Sequence, residues 1–386
     1  MKKLLYVTTS SFFDTDFSLI KSLRKQAELY CLFFVYPDNL NNTMMQLNKS
    51  YPKTGIYLAR DVYHEFVQFS DTLDLDKTYV MNRLSRNKFS LANIVSYFQL
   101  IYFMLKNRFD AIYNLIIYHI MDWPLILFMN KTYTAVHDPF PHSGVNKQKF
   151  EIMMSNMVQR SKGIITYNKT LSEAFKQKYA IPDEKLYITH LGKNFLDRAF
   201  IQNSKVSTET PYILFWGRIE PYKGLEFLLE AFNEVHKIHK DVKLVVAGRG
   251  KPYFDEELYK NKEYIVFDNR FLSVLELANI INDSLFVVCP YKDATQSGVI
   301  TTAFAFDKVV VGTNVGAIPE YVIDKKFGII VPPCDPAALK AAICHLLESP
   351  ETLKRYSSNI NEYYESGEGS WDSISTGIVT FMNQRS

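Results

Sequence analysis

The chain has 386 residues, of which 47% are hydrophobic, and it contains 28 Phe and 25 Tyr. This composition excludes a disordered protein and favours two domains of about 150 residues each. The four cysteines show no C-x-x-C spacing, which gives no zinc site or disulfide framework and is typical of a reducing, cytoplasmic setting. The net charge of +3 is uneven. Residues 1–203 hold 25 Lys and Arg against 17 Asp and Glu, so this half could face anionic lipid or nucleic acid, although random scatter also produces such a bias.

At the amino terminus, residues 4–8 form the first predicted strand, and residues 17–29 are interpreted as a helix that Asp14 or Asp16 would cap. Residues 14–16 and 74–76 also match D-x-D, a short signature of metal-diphosphate binding in one class of sugar transferases. A three-residue match often arises by chance, and a helix cap or a charged turn explains each of these two. We therefore predict no metal site.

Residues 90–106 form a long apolar helix with Lys and Arg near both ends. Such a helix is typical of a core element with solvated ends, or of a segment that lies on a membrane surface. Residues 111–129 are the most membrane-like stretch, but they include an Asn, a His, an Asp and a Pro. They predict a pair of buried elements better than a membrane-spanning helix.

A predicted strand at residues 132–136 ends in His137 and Asp138, which two prolines and a glycine follow closely. A rigid polar loop at the carboxyl end of a strand is typical of a ligand cleft. His137 is therefore a candidate ligand or catalytic group, although a single histidine is more often structural.

After a polar linker at residues 202–210, the alternation of strands and helices restarts. A strand at residues 212–216 leads into a loop with Gly217, Arg218 and Lys223. Arginine offers a planar fork to phosphate oxygens, and lysine offers a mobile point charge. Two cations at a strand's end can neutralise a diphosphate and stabilise it as a leaving group. One surface cation near a turn is common, so the interpretation depends on the pair.

Residues 285–320 predict one β-α-β unit of a parallel sheet, with a helix of small residues that starts at Ser297 and Gly298. Ligands of open parallel sheets bind at the carboxyl ends of the strands. The first amides and the positive dipole end of this helix would receive a phosphate, and Gly298 would let it approach closely. The alternative is an ordinary buried β-α-β unit.

These motifs together resemble the retaining nucleotide-sugar glycosyltransferases of family 4, which have the GT-B fold. Gly217-Arg218 and Lys223-Gly224 match the pattern G-R-x4-K-G, and residues 316–320 resemble the closing G-G-x-P-E of the family. Residues 291–299 are similar to a donor loop of one subgroup, and residues 137–139 are similar to the histidine element of the amino-terminal domain. The resemblance covers most of the second half specifically and the first half loosely.

The resemblance implies roles for individual residues. Arg218 and Lys223 would hold the donor diphosphate, and His137 would approach the reacting sugar, so these are the candidate catalytic residues. Asp138 would orient the imidazole or its loop. The other candidates for donor binding are Gly217, Gly248, Asn269, Phe271, Asp293, Gln296, Ser297, Gly298, Val299, Ile300 and Thr302, and among them Gly248, Asn269 and Phe271 would lie near the base.

The chain departs from the family at two points. Many relatives carry E-x7-E in the donor loop, whereas the equivalent positions here are Ala294 and Thr302, with Asp293 beside the first. The glycine-rich loop after the first strand is also absent. These differences leave the identity of the sugar and the ribose contacts open.

We therefore predict an α/β protein with the GT-B fold, in which two Rossmann-like parallel-sheet domains face each other across a cleft. Residues 1–204 would form the acceptor-side domain, residues 205–368 the donor-binding domain, and residues 369–386 a helix that crosses back to the first domain. The predicted enzyme is a hexosyltransferase-type glycosyltransferase. It would move a sugar from a UDP- or GDP-sugar to a glycan or lipid-linked acceptor with retention and would need neither metal nor cofactor.

By the same resemblance, the setting would be surface polysaccharide synthesis in the cytoplasm, with peripheral contact to the anionic inner face of the membrane and no role for nucleic acid. Two alternatives stay open. A catalytically silent GT-B subunit is suggested by the missing glutamates. A UDP-sugar epimerase would need paired acid and base carboxylates, which the sequence does not single out. A dinucleotide dehydrogenase is disfavoured, because no G-x-G-x-x-G follows a strand.

Overall fold

The computed structural model describes residues 3–9, 12–37, 40, 45–47, 49–85, 87, 89–115, 123–141, 146–196, 210–294 and 297–384. The chain divides into two compact units: unit 1 (Met1–Leu191 with Trp371–Ser386) and unit 2 (Gly192–Ser370). The sequence placed these divisions at residues 204 and 368. Within unit 2, Lys193 Nζ lies 2.9 Å from Asp307 Oδ1, and Asn194 Nδ2 donates to Thr302 Oγ1 at 2.9 Å.

The strands alternate with helices along most of the chain. The strands are β1 (Lys3–Thr9), β2 (Glu28–Val35), β3 (Gly55–Leu58), β4 (Thr78–Asn82), β5 (Ala111–Asn114), β6 (Thr132–Val136), β7 (Gly163–Thr166), β8 (Leu186–Ile188), β9 (Tyr212–Trp216), β10 (Lys243–Ala247), β11 (Ile265–Asp268), β12 (Val287–Cys289), β13 (Val310–Thr313) and β14 (Gly328–Val331).

The α-helices are α1 (Phe13–Leu23), α2 (Ala59–Val62), α3 (Leu91–Asn107), α4 (Trp123–Ile126), α5 (Lys147–Arg160), α6 (Lys169–Tyr179), α7 (Leu225–His236), α8 (Val274–Asp283), α9 (Gly298–Ala305), α10 (Ile318–Val322), α11 (Pro336–Glu348), α12 (Pro350–Glu365) and α13 (Trp371–Asn383). Short 3₁₀ turns include Pro221–Lys223. No helix of the described residues is long and apolar enough to cross a membrane.

Each unit is built on one sheet. In unit 1 the described strands follow the order β3-β4-β2-β1-β5-β6-β7-β8, and neighbouring strands are parallel except for the pair β3–β4. In unit 2 the order is β11-β10-β9-β12-β13-β14, with every pair parallel. Helices α9 and α13 belong to different units, since the last helix returns to unit 1.

Three strands at the centre of the unit 2 sheet, β9, β12 and β13, are buried on both faces. All five residues of β9 are buried, as are those of β12 and β13, and their sequences are nearly continuous apolar runs. Such runs are typical of parallel strands covered on both sides by helices. The predicted β-α-β unit at residues 285–320 is confirmed as β12, α9 and β13.

Helix α7 shows how an amphipathic pattern fixes the start of an element beside the site. Its buried side chains recur at helical spacing and include Leu225, Leu228, Leu229, Phe232 and Val235. Because this face packs inward, the first turn of α7 is held directly after Gly224, at the carboxyl end of β9.

The predicted first helix differs from the observed α1. The helix starts at Phe13 rather than residue 17, its N-cap is Phe12, and that cap makes no side-chain hydrogen bond. Asp16 is not a cap but a buried residue within the helix, where its carboxylate accepts hydrogen bonds from Tyr6 (2.7 Å) and Thr8 (2.5 Å). The tertiary bonds from β1 therefore replace the local capping role that the sequence predicted.

Candidate active site

The topology of unit 2 marks one edge of its sheet as a binding position. Strand β9 lies between β10 and β12, so the connections that leave β9 and β12 run to opposite sides of the sheet. Ligands of open α/β sheets bind outside the carboxyl ends of strands at such a switch point. Two loops lie at this point: residues 217–224 after β9 and residues 290–297 after β12.

The two loops approach each other closely. Gly224 has φ +64°, and a Cβ at this position would lie 2.0 Å from the carbonyl oxygen of Pro290. The amide of Lys292 donates a hydrogen bond of 2.8 Å to the carbonyl of Tyr222. Only glycine satisfies both the left-handed backbone and this contact at position 224, which explains the glycine that closes the G-R-x4-K-G pattern.

Lys223 is a buried cation at the centre of the site. Only 8% of its surface is exposed, and its Nζ donates to the hydroxyl of Tyr291 at 2.8 Å. Nζ also lies 3.9 Å from the centroid of the same ring. No carboxylate of the described residues forms an ion pair with it. Burial lowers the pKa of Lys223 to about 8, so the ammonium persists at neutral pH and would be stabilised by a bound anion.

The amino terminus of α9 lies beside this lysine. The Tyr291 hydroxyl is 3.2 Å from Ser297 Oγ, and Ser297 is the N-cap of α9 but makes no capping hydrogen bond. The first amides of a helix have no intrahelical partner. Apart from residues 297 and 299 and the backbone of α9 itself, no atom of the described residues lies within 4 Å of a Cβ built on Gly298. In the part of the chain that the structure describes, the space in front of Gly298 is therefore open, and an anion placed there would meet the amides and the dipole.

The loop after β9 lies against the first turn of α9. A Cβ built on Gly217 would be 3.7 Å from Val299 Cγ2. Ile300 is buried in the same turn, where its side chain anchors the helix. The structure thus brings together Gly217, Lys223 and the residues at the start of α9.

Arg218 occupies a different position from Lys223. Its side chain is 74% exposed, and its Nη1 forms an ion pair of 3.0 Å with Glu220. An exposed pair of this kind has a small net stability, so Glu220 can be displaced by a phosphate. Binding a donor through Arg218 would therefore exchange one anionic partner for another.

The predicted base-binding residues follow β10 and β11. Gly248 has φ +139°, and a Cβ there would lie 2.1 Å from the carbonyl oxygen of Gly217. The Asn269 amide forms two hydrogen bonds with the backbone of Gly250, of 3.0 and 2.8 Å. Asn269 thus braces the loop after β10, whereas Phe271 is exposed and has a free ring face for stacking.

The side chains of the donor loop, residues 291–299, and of Thr302 after it differ in their contacts and exposure. Lys292 Nζ lies 2.8 Å from Glu226 Oε1, and the Tyr253 hydroxyl donates to Glu226 Oε2 at 2.6 Å. Asp293 is exposed, and Gln296 lies outside the described residues. Thr302, at the second position of E-x7-E, is buried, and its hydroxyl donates to the Gly298 carbonyl at 2.7 Å. Its side chain is therefore engaged inside the helix.

His137 lies in unit 1, directly after β6. Its ring stacks on Phe12 at a centroid distance of 5.5 Å and lies 4.5 Å from the ring of Tyr167. Burial lowers the pKa of His137 to about 4, although the neighbouring Asp138 charge acts in the opposite direction. The imidazole is therefore neutral at neutral pH and can donate one hydrogen bond and accept another.

A buried hydroxyl cluster lies at the same sheet edge of unit 1. Tyr6 and Thr8 donate to Asp16, and the hydroxyls of Tyr113 and Tyr167 form a short hydrogen bond with each other. Tyr6 stacks on Tyr113 at a centroid distance of 4.8 Å. Burial raises the pKa of the three tyrosines, so all are neutral donors. Through Tyr167 this cluster supports one face of His137.

The described residues contain no group of three or more His, Cys, Asp or Glu that could hold a metal ion. In the D-x-D match at residues 74–76, Asp74 lies 3.8 Å from Lys77, and Asp76 lies 2.6 Å from Arg60. In the other match, Asp16 is occupied by Tyr6 and Thr8.

Comparison with known proteins identifies the domain. Residues 210–349, which span β9–β14, match the family model of glycosyl transferases group 1. The chain is 27% identical over 267 residues to an uncharacterized glycosyltransferase of Methanocaldococcus jannaschii, covering 63% of this chain and 72% of that protein. It is 23% identical over 261 residues to alpha-D-kanosaminyltransferase of Streptomyces kanamyceticus, covering 64% of this chain and 68% of that protein.

The chain is a glycosyltransferase. Residues 210–349 of unit 2 match the group 1 model, and the enzyme class predicted from the sequence is confirmed.

Solved structures confirm the fold class of the glycosyltransferase. Sucrose-phosphate synthase from Thermosynechococcus elongatus matches with a TM-score of 0.68 at 14% identity, covering 100% of this chain and 99% of that one. Anabaena HepE in complex with UDP matches with a TM-score of 0.61 at 14% identity, covering 100% and 98%. These likenesses, together with the two parallel-dominated sheets, give the GT-B fold.

Sequence reasoning missed two features of the glycosyltransferase site. Tyr291 was part of the donor-loop resemblance but had no role, and it proves to be the hydrogen-bond partner of Lys223. The cluster around Asp16 was interpreted as a helix cap. A usable signal existed in β1, where Tyr6 and Thr8 place two hydroxyls on alternate positions of residues 4–8, whose other members are apolar.

Proposed function

We propose that the glycosyltransferase moves a sugar from a nucleotide diphosphate donor, a UDP- or GDP-sugar, to a glycan or lipid-linked acceptor with retention of the anomeric configuration. The observation that supports this most strongly is the buried Lys223 ammonium, which has no carboxylate partner in the described residues and adjoins the open end of α9. A buried charge is stabilised by pairing, and a diphosphate between Lys223 and α9 would supply the missing partner.

The proposed diphosphate site also provides catalysis without a metal. Negative charge builds on the phosphate oxygen as the bond from the sugar C1 breaks, and fixed donors in a low-dielectric site stabilise that charge. Lys223, the first amides of α9 and Arg218, once released from Glu220, are the groups proposed for this role. Phe271 is proposed to stack on the base, since its ring is exposed at the adjacent strand end.

His137 is proposed to donate a hydrogen bond rather than to act as a base. Its neutral imidazole can hold a sugar hydroxyl while the C1–O bond to the diphosphate breaks and the acceptor oxygen bonds to C1 on the same face. The acceptor proton would pass to the departing diphosphate, so no enzyme base is required. Neither position of the missing E-x7-E pair supplies a carboxylate nucleophile, which favours this front-face route over a covalent double displacement.

Anabaena HepE was solved in complex with UDP, which supports a nucleotide diphosphate as the first ligand to test. The assignment to surface polysaccharide synthesis in the cytoplasm is likewise a proposal, carried by the family resemblance.

The test is a thermal-shift titration with UDP, GDP, ADP and CDP, followed by mass-spectrometric detection of sugar release from the matching sugar nucleotides. A ligand that binds only the folded state raises the apparent stability. We expect one of UDP or GDP to raise the melting temperature of the wild type and to lose that effect in Lys223→Met, with Lys237→Met, on the exposed end of α7, as the control. No shift with any nucleotide would refute the proposed site. Binding without release or transfer would favour the catalytically silent subunit instead.

A further inference from the structure

Helix α3 of unit 1 buries polar side chains and exposes apolar ones along its first turns. Asn93 and Ser96 are buried, and Asn93 Nδ2 donates to the carbonyls of Ser85 (2.9 Å) and Asn87 (2.8 Å). Surface helices usually bury the apolar stripe and expose the polar one. The outward face of α3 is therefore suited to a less polar neighbour than water.

The outward face carries a continuous apolar stripe, which we call the α3 stripe. Its members are spaced alternately four and three residues apart, so they lie along one side of the helix: Leu91, Val95, Phe98, Tyr102 and Leu105. The exposed fractions are 79% for Leu91, 67% for Phe98 and 65% for Tyr102. At the usual helical rise the stripe is about 21 Å long. Single exposed apolar residues are ordinary, but a contiguous patch of this size marks an interaction surface.

The apolar surface continues onto α4, which packs against α3. Ile126 and Leu127 are exposed there, at the end of that short helix. The exposed apolar surface of α3 and α4 is therefore broader than one helix face, and a flat partner requires a surface of that breadth.

Three exposed cations lie near the carboxyl end of the stripe. Lys106, Arg108 and Lys131 are exposed, and no carboxylate of the described residues forms an ion pair with any of them. Lys106 Nζ lies 5.8 Å from the centroid of the Tyr102 ring, so this cation adjoins the stripe directly. Within the sequence, residues 77–109 contain six Lys and Arg and no Asp or Glu.

A cavity of about 380 Å³ opens where the apolar and cationic surfaces meet. Its walls include Leu105 from the stripe, Phe109 and Phe128, together with Arg108 and Lys131. Lys131 Nζ donates to the Phe109 carbonyl at 3.1 Å, which fixes this cation at the cavity wall. Apolar walls with two adjoining cations match a lipid, because acyl chains pack against apolar walls and the lipid phosphate binds cations.

We propose that the α3 stripe docks unit 1 on an anionic bilayer, with the helix in the plane of the interface and lipid phosphate at Arg108 and Lys131. Helix α3 has 17 residues and an exposed apolar stripe along one side, as a helix that lies in the plane of the interface requires. The inference depends on neither the donor nor the reaction proposed above.

Charge favours a bilayer over a second copy of the chain as the occupant of this surface. Residues 77–109 carry cations on both sides of α3 in the sequence and contain no acidic residue. Two copies joined along their stripes would therefore bring like charges together without compensation from this segment. An anionic surface attracts the exposed Lys106, Arg108 and Lys131 at once, and each cation near such a surface strengthens binding.

The experiment is sedimentation of the full chain with vesicles of phosphatidylcholine, alone or mixed with phosphatidylglycerol. We expect binding to the anionic vesicles that weakens at least tenfold as the salt rises from about 0.01 M to about 0.15 M, because the screening length falls from roughly 30 to 8 Å. Phe98→Gln/Tyr102→Gln should reduce binding about tenfold at low salt. Lys106→Gln/Arg108→Gln should reduce it similarly and flatten the salt dependence.

The matched control is Ile152→Gln/Ile238→Gln, which removes two exposed apolar residues elsewhere and should bind like the wild type. Circular dichroism of each variant confirms that it is folded. Equal sedimentation of the wild type with neutral and anionic vesicles would overturn the proposal, as would an equal loss in the control variant. Sedimentation velocity tests whether a second copy of the chain occupies the surface instead. If the wild type is a dimer, the stripe variant is a monomer and vesicle binding is unchanged, the surface serves self-association. That result would also overturn the proposal.

Discussion

Each of the two sheets of the glycosyltransferase has its own topological switch point, and the side chains at the two points differ. In unit 1, β1 lies between β2 and β5. In unit 2, β9 lies between β10 and β12 in the same way. In unit 2 the strand ends carry Lys223, which has no carboxylate partner among the described residues, and an open helix end at Gly298. In unit 1 the corresponding edge is filled by stacked tyrosines and a carboxylate that is already hydrogen-bonded.

This difference shows that topology places a site but side chains decide its charge. An anion site needs close backbone approach and a cation that no protein carboxylate neutralises, and the described residues of unit 2 supply both through Gly224 and Lys223. Unit 1 has hydroxyls and a neutral His137 instead, which suit uncharged sugar hydroxyls better than phosphates. The two edges therefore differ in the chemistry that they offer to a ligand.

Removing the neutral donor of unit 1 is expected to have the largest effect. His137→Ala should lower kcat about a hundredfold, as loss of one preorganised donor does in other enzymes, while the affinity for nucleoside diphosphate stays within about twofold. Asp138→Asn should have a smaller effect. The measurements are steady-state kinetics and calorimetric titration, with His64→Ala, an exposed histidine of unit 1, as the control. Unchanged turnover in folded His137→Ala would show that the histidine is structural.

Removing a cation of unit 2 should affect binding as well as turnover. Lys223→Met and Arg218→Ala should each lower kcat/KM at least about tenfold and weaken nucleoside diphosphate binding, because a charge-assisted hydrogen bond contributes about 1.5–3 kcal/mol. Lys223→Met should be the more severe, since Arg218 is exposed and paired. If both variants turn over normally, the diphosphate lies elsewhere.

The same substitution should make the unliganded protein more stable. The pKa of Lys223 is lowered in the folded state to about 8, so the unfolded chain binds this proton more tightly. Lys223→Met should therefore raise the free energy of unfolding by on the order of 1 kcal/mol below pH 8. This gain should disappear as the pH rises toward 10.5, where the wild-type folded state has released the proton. Urea denaturation at several pH values tests this, and a destabilised variant at pH 7 would contradict the assignment of an uncompensated charge.

The smallest effect is expected at the hydrogen-bond partner of that lysine. Tyr291→Phe removes the hydroxyl between Lys223 and Ser297 but keeps the ring that packs against Nζ. Lys223 keeps its contact with the ring and its proposed phosphate partner, so loss of this one hydroxyl should cost about 1 kcal/mol and lower kcat/KM roughly threefold to tenfold. Tyr264→Phe, which loses a hydroxyl bonded to Asn233 away from the site, serves as the control. Equal effects in the two variants would show that Tyr291 has no special role.

Much of unit 2 could be predicted from the sequence because its signals are local. The apolar runs of β9 and β12, the glycines beside the site and the small-residue helix α9 each follow from nearby residues. The role of Tyr291 could not be predicted in this way, since it depends on two loops from non-adjacent parts of the chain meeting at Gly224 and Pro290. The ion pair of Arg218 with Glu220 could not be predicted either, because the sequence does not show which partner the arginine takes.

Unit 1 was harder to predict because its polar residues bond across the sheet. Asp16 stands where a helix cap would stand, yet it accepts bonds from β1. Helix α3 is apolar on two sides, so its period alone does not indicate which side is buried; the packing of Leu100, Phe103 and Met104 into the core decides it.

The position of α13 has a consequence for how the chain is made. The last helix completes the core of unit 1, where Ile374, Ile378 and Met382 are buried and the Tyr133 hydroxyl donates to the Met382 carbonyl at 2.9 Å. Domains generally fold in the order of their synthesis, but here the first unit lacks a part of its interior until α13 has left the ribosome. Unit 2 can finish first, although it is encoded second, and the nascent amino-terminal half must meanwhile remain incomplete, with the surface that α13 will cover still exposed.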